Sequence, residues 1–552
     1  MNQLLAIASA SRTTKASASD ATVIMRRIAA FVLLLVLMML GAMPAGRALA
    51  AGGAPDLCPA LAPSTGTTIT VTTVSELESA VNNATAGDVI LVADGVYNLD
   101  GIYLRIDTPD VTLRSASGHQ DAVVLDGNYI TTEIIQIIAS NVTIADLTLR
   151  EAYDHPIHIM STADGDVTGT LIYNVHVIDP GQQAIKINPY ASDAQHFPDD
   201  GVIACSHIEL TDAGRAHIRD NCYTGGVDAH QALGWVIRDN LIEGFWCTSG
   251  LSEHGVHFWR GSRDTLVERN LLRNNARGVG FGLSTSGTGR AYDDNPCPGA
   301  SGYVDHYGGV IRNNFIFAND NDLFASEYGF DSGIGLWNAC GARALHNTVA
   351  STQAPFSSIE WRFDNTEVDI INNLVTHNLR DRGGTATLSG NLQNQPLSAF
   401  VDGAGGDLHL SAGASAAIDQ VSAPADVSDD FDGEARPLGA ASDVGADERN
   451  PDQLYFPVIF ISARAASDVQ LAWRIDQPWQ AFHVHRGVSP YFEPQGAGLA
   501  TLSALPWQWI DPGALGDAGE NHYYLVQGED NDAIISSQRV GEFDFSLVPG
   551  GN

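Results

Sequence analysis

QAIKIN (183–188) decides the fold of this chain, because its alternation of apolar and polar residues recurs in six other short segments. The others are HPIHIM (155–160), GGVDAH (225–230), HGVHFW (254–259), RGVGFG (277–282), SGIGLW (332–337) and SSIEWR (357–362). In each segment a Val or Ile and the residue two positions later face one way, and the residues between and after them face the other way. The alternation predicts short strands with one apolar and one polar face.

A second motif, apolar–apolar–x–x–Asn–apolar, lies between these segments. It occurs around Asn174, Asn240, Asn270, Asn314 and Asn373. Stacked turns of chain that each contribute a parallel strand, with Asn side chains forming a ladder at the corners, make a parallel β-helix. Solenoids of paired helices would need longer apolar stripes, and the sequence has none. The motifs therefore predict a parallel β-helix.

Two stretches carry a resemblance to a known group. TITVTTVSELESAVNNATAGDVILVADGVYN (68–98) resembles the N-terminal segment of polysaccharide lyases of the chondroitinase B and alginate lyase kind. DFDGEARPLGAASDVGADE (430–448) is similar to the tail that closes many bacterial β-helix modules. The chain thus resembles secreted right-handed parallel β-helix proteins of the pectate lyase-like superfamily. Ser75 and Glu78 have the spacing of a capping box and predict a short helix over the first coil.

The N-terminal residues predict export. In residues 25–50, Arg26 and Arg27 precede an apolar run and an Ala-x-Ala site, which is typical of a secretory signal peptide. We therefore expect a signal peptide over residues 1–50, with Met25 as an alternative start and an uncleaved anchor as the alternative interpretation. A linker is expected at residues 51–67, before a β-helix domain at 68–449, and the expected location is extracellular or cell-surface.

The sequence pattern changes after residue 448. Residues 450–463 are expected to form a linker, and residues 464–552 show alternating strands separated by turn residues. A Trp at position 473 on an early strand and a late strand around Tyr523 resemble a fibronectin type III β-sandwich.

The net charge and the cysteine spacing restrict the classes of binding partner and metal site that we expect. The formal net charge is −36 at pH 7, which argues against nucleic acid and anionic membranes because both would be repelled. The six cysteines contain no Cys-x-x-Cys pair, so disulfides are expected rather than a zinc-ribbon site, and their pairing stays open. We expect a monomer that acts on a polysaccharide.

The polar faces of the strands hold the candidate site. Outward residues at matching positions form two columns, which read His158, Lys186, Asp228, His257, Gly280, Gly335, Glu360 and Met160, Asn188, His230, Trp259, Gly282, Trp337, Arg362. Because the glycines have no side chains, they are expected to leave a groove on the sheet face beside Trp259 and Trp337. Sugars stack on aromatic rings of this kind. The alternative is a solvated, merely decorative sheet face.

Elimination at a uronate needs a base, an acid and a positive charge for the carboxylate. Lys186 or His257 is the candidate base, and Arg260, Arg362 or bound Ca²⁺ is the candidate neutraliser. In the lyases that the chain resembles, a lysine on the outer face acts with an arginine. Lys186 has an equal alternative as the structural ion-pair partner of Asp228. The full expected site comprises Lys186, His257, Asp228, His230 and Arg260 as catalytic residues and Trp259, Trp337, Asn188, His158, Arg362 and Glu360 as substrate-binding residues.

Two other functions compete with a lyase. A glycoside hydrolase would pair Asp228 with a loop carboxylate such as Glu253 or Asp293, because hydrolysis needs two carboxylates within reach of one bond. A glycan-binding protein without catalysis would use Trp259 and Trp337 as platforms.

Metal sites are a minority interpretation of the same residues. Asp228, His230 and His257 have the residue types of a transition-metal site, although acid–base apparatus is the favoured interpretation. Calcium is a candidate cofactor through the loop carboxylates Asp293, Asp294, Asp320 and Asp322, of which the last two also fit a plain turn.

Overall fold

The computed structural model describes most of the chain. The described residues are 57–62, 65–450, 460–464, 468–473, 481–488, 492, 494, 496, 498–503, 508–514, 522–530, 533–536 and 540–541. The expected signal peptide, the start at Met25 and most of the expected 450–463 linker lie outside these residues.

One parallel sheet, here called the front sheet, carries the candidate site. Its strands in spatial order are Leu104–Ile106, Glu133–Ile137, His155–Met160, Gln183–Asn188, Gly225–His230, Val256–Trp259, Arg277–Phe281, Ser332–Trp337, Ser357–Arg362 and Leu379–Arg382. All seven segments with the shared alternation supply consecutive strands of this sheet. The β-helix prediction is confirmed.

Two further sheets complete each coil. The second sheet stacks Gly95–Asn98, Val123–Asp126, Thr148–Arg150, His176–Ile178, His207–Glu209, Leu241–Glu243, Leu271–Arg273, Phe315–Ala318, Thr348–Ser351 and Leu374–Val375. The third stacks Thr68–Val71, Val89–Val92, Thr112–Ser115, Thr143–Ala145, Leu171–Tyr173, Val202–Ala204, Val236–Arg238, Leu266–Glu268, Val310–Arg312, Ala339–Leu345, Glu367–Ile371 and Thr385–Ser389, with Ser262–Arg263 and His306–Tyr307 beside them. Short pairs are Val167–Thr168 with Pro198–Asp199 and Phe400–Asp402 with Asp407–Leu410.

The core runs along the axis of the coils. Inward residues such as Ile185, Ile187, Val227 and Val256 are fully buried in one continuous apolar cluster. Because alternate residues of a strand face opposite sides of a sheet, burying these four fixes which residues face outward.

A helix covers the first coil, as predicted, but its cap lies two residues earlier than expected. The helix is Val74–Asn82, and Thr73 is its N-cap, accepting from the backbone N–H of Glu76 at 3.2 Å. Glu76 in turn accepts from the backbone N–H of Thr72 at 2.8 Å. The capping residues are therefore Thr73 and Glu76, not Ser75 and Glu78, because the helix already begins at Val74. Other helical turns are Asp212–Arg215, Asn321–Ala325, Gln120–Ala122 and Leu397–Ala399.

An asparagine ladder stabilises one corner of the coils. The Nδ2 of Asn240, Asn270, Asn314 and Asn347 each donates to the Oδ1 of the next asparagine at 2.9–3.0 Å. The backbone N–H of each also donates to the same Oδ1. Each ladder side chain thus satisfies backbone groups that the corner leaves without a strand partner.

The ladder differs from the predicted one in its middle and at both ends. Asn347 belongs to it although the motif missed it, and Asn391 follows Asn373 at its end. Asn174 does not belong to it. Asn174 takes the left-handed corner position, with φ 49°, and donates to Asp146 Oδ1 at 2.8 Å. The prediction for Asn174 was wrong because LIYN places its Asn one position earlier than VIRDN does.

The tail closes the far end of the solenoid. Its buried ion pair joins Arg436 Nη1 to Glu448 Oε2 at 2.8 Å. Val444 and Ala446 pack with Phe317 and other residues of the last coils in a separate apolar cluster.

Three disulfides tie loops to the coils. They join Cys58 to Cys205, Cys222 to Cys247 and Cys297 to Cys340. The Cys222–Cys247 bond holds the connection that leads into strand Gly225–His230.

The C-terminal region is a small antiparallel β-sandwich. One sheet holds Phe460–Arg464, Asp468–Ala472 and Gln508–Asp511, and the other holds Ala481–Gly487, Ala500–Leu502, Tyr523–Asp530, Ala533–Ser536 and Val540–Gly541. Trp473, Phe482 and Tyr524 share its core. Its first strand begins inside the expected linker. The sandwich is confirmed, and its assignment as fibronectin type III stays a prediction. In the described part of the chain, no helix has the length and apolar character needed to cross a bilayer.

We expect Asn314→Ala to lower thermal stability more than Asn391→Ala. Asn314 is fully buried and bonds to five backbone or side-chain groups, whereas Asn391 ends the ladder partly exposed to water. Each buried group left unpaired costs about 1–3 kcal/mol, so the Asn314 variant should lose about 3 kcal/mol or more. Thermal melts followed by circular dichroism check this, and equal shifts for the two variants would contradict it.

Candidate functional site

The front sheet places the central site residues on consecutive rungs. Lys186 pairs with Asp228, and Asp228 pairs with His257, as Cα partners on neighbouring strands. In the adjacent column His230 pairs with Trp259. The predicted register is therefore correct, and these side chains leave the sheet on the side opposite the core.

The Lys186 ammonium joins four other side chains into one cluster. Lys186 Nζ forms an ion pair with Asp228 Oδ2, donates to Tyr223 Oη at 3.2 Å and lies 3.2 Å from His230 Nε2. Trp259 Nε1 donates to the other carboxylate oxygen of Asp228 at 2.8 Å. We call these five side chains the Lys186 cluster. Because an ammonium can only donate, His230 Nε2 accepts from it.

Lys186 and Asp228 lie below the surface, which differs from the exposed face expected from the sequence, whereas Tyr223, His230 and Trp259 are partly exposed. Lys186 is 7% exposed, and Asp228 and His257 are 0% exposed. The connection before strand Gly225–His230 brings Tyr223 over the column, and the Trp259 ring lies parallel to the His257 ring, 5.3 Å between centroids. Alternation identifies the side of the sheet but says nothing of what covers it.

The expected groove over the glycines is filled. A Cβ on Gly280 would meet His254 Nε2 at 2.5 Å, and one on Gly335 would meet the Trp337 indole at 3.1 Å. Trp337 is 3% exposed and donates from Nε1 to Glu360 Oε1 at 2.7 Å. Trp337 and Glu360 therefore lie in a packed layer, and Trp337 offers no open plate to a sugar.

Arg260 and Arg362, the expected neutralising cations, have no carboxylate partner among the described residues. Arg260 lies over the Trp259 ring at 4.6 Å, and its Nε is buried without a hydrogen bond. Arg362 lies over Phe363 at 4.4 Å, and burial together with the nearby Arg382 lowers its pKa. Arg382, in contrast, pairs with Glu360 at 2.6 Å. Arg260 and Arg362 are the expected cations most available to an anionic ligand.

The remaining expected binding residues form a hydrogen-bonded pair. His158 Nε2 lies 2.8 Å from Asn188 Oδ1, and His158 Nδ1 lies 2.5 Å from Glu133 Oε1. Both His158 and Asn188 are partly buried; Asn188 lies two rungs from Trp259 in the same column, and His158 lies one rung from Lys186 in the neighbouring column. The structure brings them to the same sheet face but outside the Lys186 cluster.

Burial and neighbouring charges determine the protonation states in the Lys186 cluster. Burial alone would lower the pKa of Lys186, but the Asp228 carboxylate outweighs burial and raises it. Burial would raise the pKa of Asp228, but Lys186 holds it well below its usual value. Burial lowers the pKa of His230 to about 4 and raises that of Tyr223. At neutral pH the cluster therefore holds an ammonium, a carboxylate, a neutral imidazole and a phenol.

Both ring nitrogens of His257 face protein atoms. Its Nδ1 lies 3.0 Å from Glu253 Oε2, and its Nε2 lies 3.2 Å from the carbonyl oxygen of Gly282. Burial would lower the pKa of His257, but the Glu253 carboxylate raises it. With its ring fully buried and both nitrogens directed at protein atoms, His257 has no route to a sugar in this arrangement.

Sequence reasoning missed Tyr223 and His254. Tyr223 follows Cys222, so the Cys222–Cys247 disulfide fixes it above Lys186. Tyr223 lies in a connection, and His254, the first residue of HGVHFW, precedes strand Val256–Trp259, so the outward alternation includes neither residue. The available signal was a tyrosine beside a cysteine just before GGVDAH and the sequence Glu253-His254 just before a strand.

The expected metal residues do not converge into the expected groups. Asp294 accepts from Arg263 at 2.7 Å, and Asp320 is the N-cap of helix Asn321–Ala325. Among the described residues, none of the four loop aspartates belongs to a group of three or more His, Cys, Asp or Glu side chains whose ligand atoms converge, and calcium at these aspartates stays a prediction. The Asp228–His230–His257 trio does not fit a transition-metal site, because the Lys186 ammonium occupies the space that Asp228 and His230 share.

Comparisons with known proteins were weak. No family model matches the chain, and no curated protein sequence matches it. An alginate lyase from Paenibacillus sp. str. FPU-7 is 17% identical over 59% of this chain and 98% of that chain, with a TM-score of 0.40. The PL6 family polysaccharide lyase Pedsa3628 from Pseudopedobacter saltans is 11% identical over 68% of this chain and 99% of that chain, with a TM-score of 0.29. A polygalacturonase from Erwinia carotovora ssp. carotovora is 11% identical over 60% and 96%, with a TM-score of 0.28.

All three neighbours are pectate lyase-like β-helix proteins. The parallel sheets of this chain show the same architecture on their own. At these identities and TM-scores the likeness says nothing of the reaction or the sugar.

We expect His230 to destabilise the fold in mild acid. Its pKa of about 4 in the folded protein lies below the ordinary value of 6.5, so folding excludes a proton that the unfolded chain binds. The resulting loss of stability begins as pH falls below about 6.5 and is complete near 4. His230→Gln should therefore lose less thermal stability than the unchanged protein between neutral pH and pH about 4.5. Melting curves at both pH values check this, and identical losses would contradict it.

Proposed function

We propose that this protein is a secreted carbohydrate-active enzyme that cleaves a uronate-containing polysaccharide by β-elimination over the front sheet. The observation that carries the proposal is the contact of one ammonium, Lys186 Nζ, with both Tyr223 Oη and His230 Nε2. That contact places two groups capable of proton transfer around one fixed positive charge. The expected signal peptide and three disulfides support action outside the cell.

Local cations support an anionic substrate. Arg260 and Arg362 lack carboxylate partners among the described residues, and the repulsion between Arg362 and Arg382 is relieved if an anion binds there. Arg260 stacks on Trp259, the aromatic ring of the Lys186 cluster, which is partly exposed. A uronate bound at the exposed edge of Trp259 would place its carboxylate beside Arg260. The cations therefore offset, at short range, the negative charge of the whole chain.

Proton transfer is assigned to Tyr223 and Lys186. The reactive form has lost one proton from this pair, and Lys186 keeps its positive charge while Tyr223 is a phenolate. Tyr223 then takes the proton from the carbon beside the uronate carboxylate, and Lys186 gives a proton to the departing glycosidic oxygen. The C–O bond breaks as the carbon–carbon double bond forms. Transfer of the proton from Tyr223 to Lys186 across their 3.2 Å contact restores the pair.

This assignment changes the role expected for Lys186 and His257. The raised pKa of Lys186 makes it a charge and an acid instead of a resting base. His257 is a positioning residue, since it lies beneath Trp259 and contacts Glu253.

The charge states argue against the hydrolase alternative. Retaining and inverting hydrolases both need one protonated carboxyl group as an acid. Asp228 and Glu253 flank His257, but the pKa of each is lowered, Asp228 by Lys186 and Glu253 by His257, against the effect of burial. Neither is a carboxylic acid at neutral pH. A glycan-binding protein without catalysis remains an outcome of the test below.

We expect Tyr223→Phe and Lys186→Met each to lower turnover on a uronate polysaccharide by roughly 10²–10⁴-fold, the usual contribution of a general acid or base. Activity of the unchanged protein should rise from neutral towards alkaline pH, because burial raises the pKa of Tyr223. The assay is the ultraviolet absorbance of unsaturated sugar ends on alginate, pectate and chondroitin.

Tyr190→Phe is the matched control, since Tyr190 is 40% exposed and lies outside the Lys186 cluster. It should keep full activity. Reducing ends without ultraviolet absorbance would establish a hydrolase instead, and binding without any cleavage would leave a glycan-binding protein.

A further inference from the structure

Directly beneath Trp259, three potential metal ligands converge in the sequence Glu253-His254-Gly255-Val256-His257. A carboxylate oxygen of Glu253 and one ring nitrogen each of His254 and His257 lie within 4.8 Å of one another. Glu253 Oε2 lies 3.0 Å from His257 Nδ1 and 4.0 Å from His254 Nδ1. The two imidazole centroids are 4.4 Å apart, and their planes are tilted by 43°.

The surroundings of the His254 side chain indicate that a ligand binds here. It is 0% exposed, and neither of its ring nitrogens has a hydrogen-bond partner among the described residues. An imidazole buried in this way loses its hydrogen bonds to water without replacing them, which costs about 1–3 kcal/mol for each unpaired group. A pairing of Glu253 with a protonated His257 would account for His257 but would leave His254 unexplained.

We propose that Glu253, His254 and His257 hold a divalent transition-metal ion of the Zn²⁺ type. Zn²⁺ lies about 2.0–2.2 Å from imidazole nitrogen and carboxylate oxygen, so tetrahedral ligands are about 3.3 Å apart. The observed 3.0 and 4.0 Å separations bracket that value. Two nitrogens and one oxygen favour Zn²⁺, Co²⁺ or Ni²⁺ over Ca²⁺ and Mg²⁺, which prefer oxygen ligands.

The surroundings orient His257 as a ligand. The carbonyl oxygen of Gly282 lies 3.2 Å from His257 Nε2, so Nε2 carries the proton and Nδ1 presents its lone pair. Metal-bound histidines usually donate the other ring N–H to an acceptor of this kind. Asp228 Oδ1 lies 3.6 Å from His257 Nδ1, so a second carboxylate places negative charge beside the three ligands.

Two other histidine–carboxylate groups lack this feature. In one group, His176 Nε2 lies 2.8 Å from Glu209, and His207 Nε2 lies 2.9 Å from Glu243. In the other, both ring nitrogens of His409 contact aspartates. Their ring nitrogens are already matched by protein acceptors, so these groups serve as internal controls.

The first test is metal uptake by the full-length protein. After treatment with a chelator and dialysis, elemental analysis should show one bound Zn²⁺ per chain on reloading. Co²⁺ in its place should give the visible absorption bands of a tetrahedral complex. Zn²⁺ should raise the melting temperature, and a chelator should reverse the rise, because a ligand that binds the folded state stabilises it. A protein that takes up neither Zn²⁺ nor Co²⁺ overturns the proposal, whatever the variants do.

Two single substitutions test where the metal ion binds. His254→Gln should weaken Zn²⁺ binding on the order of 100-fold or more, beyond the 10–100-fold effect of losing an outer-shell partner. His176→Gln should leave Zn²⁺ binding unchanged. Uptake that survives His254→Gln but is lost with His176→Gln would move the ion to the second sheet and refute the site. None of these measurements uses polysaccharide, so a failure of the lyase assignment and a failure of the metal site are distinguished.

Discussion

Parallel pairing of successive rungs in the front sheet is the constraint on which the site depends. Rungs lie about 4.8 Å apart, so a long side chain reaches the next rung and no further. Lys186 therefore meets Asp228, and Asp228 accepts from Trp259, whose ring stacks on His257. A slip of one residue would turn Lys186 and Asp228 into the apolar core, where charges without water are very unfavourable. The same pairing that builds the core selects which charges meet outside it.

The ion pair of Lys186 and Asp228 is better understood as an organiser than as a source of stability. Removing two charges from water is unfavourable, and their attraction inside a protein often does no more than compensate for it. Loss of one partner is different, because it leaves an uncompensated charge and costs about 3–5 kcal/mol. Any substitution of Lys186 thus perturbs stability as well as chemistry. Tyr223 contacts the ammonium without carrying charge, so its substitution tests the proposed proton transfer with less effect on stability.

The sequence predicted the strand register of the front sheet. It did not predict how deeply the site residues are buried. Alternation along QAIKIN and GGVDAH predicts which residues pair, because the period of a strand is fixed by its backbone. The connections follow no such period, so Tyr223 and His254, which cover the columns, could not be placed from the pattern. Trp337 shows the consequence. It lies on the predicted side of the sheet, but its indole folds over Gly335 and bonds to Glu360 instead of facing solvent.

Asn174 shows a related limit at the corners. Its motif differs from the others by one residue, and one residue changes a ladder position into a left-handed corner position. Corner residues are selected by backbone conformation as well as by hydrogen bonding, and asparagine satisfies both demands. An asparagine in a loose repeat therefore does not identify its own role until the neighbouring coils fix the register.

The overall charge and the charge of the site act over different distances. At physiological ionic strength, charges more than about 8 Å apart are largely screened in water, so the net charge of −36 has little hold on a sugar already on the sheet. Arg260 and Lys186 act within contact distance, and burial protects them from that screening. If the proposed function holds, these two cations bind an anionic sugar at Trp259 although the chain as a whole is negative. In this arrangement, access over the front sheet decides selectivity more than charge alone does.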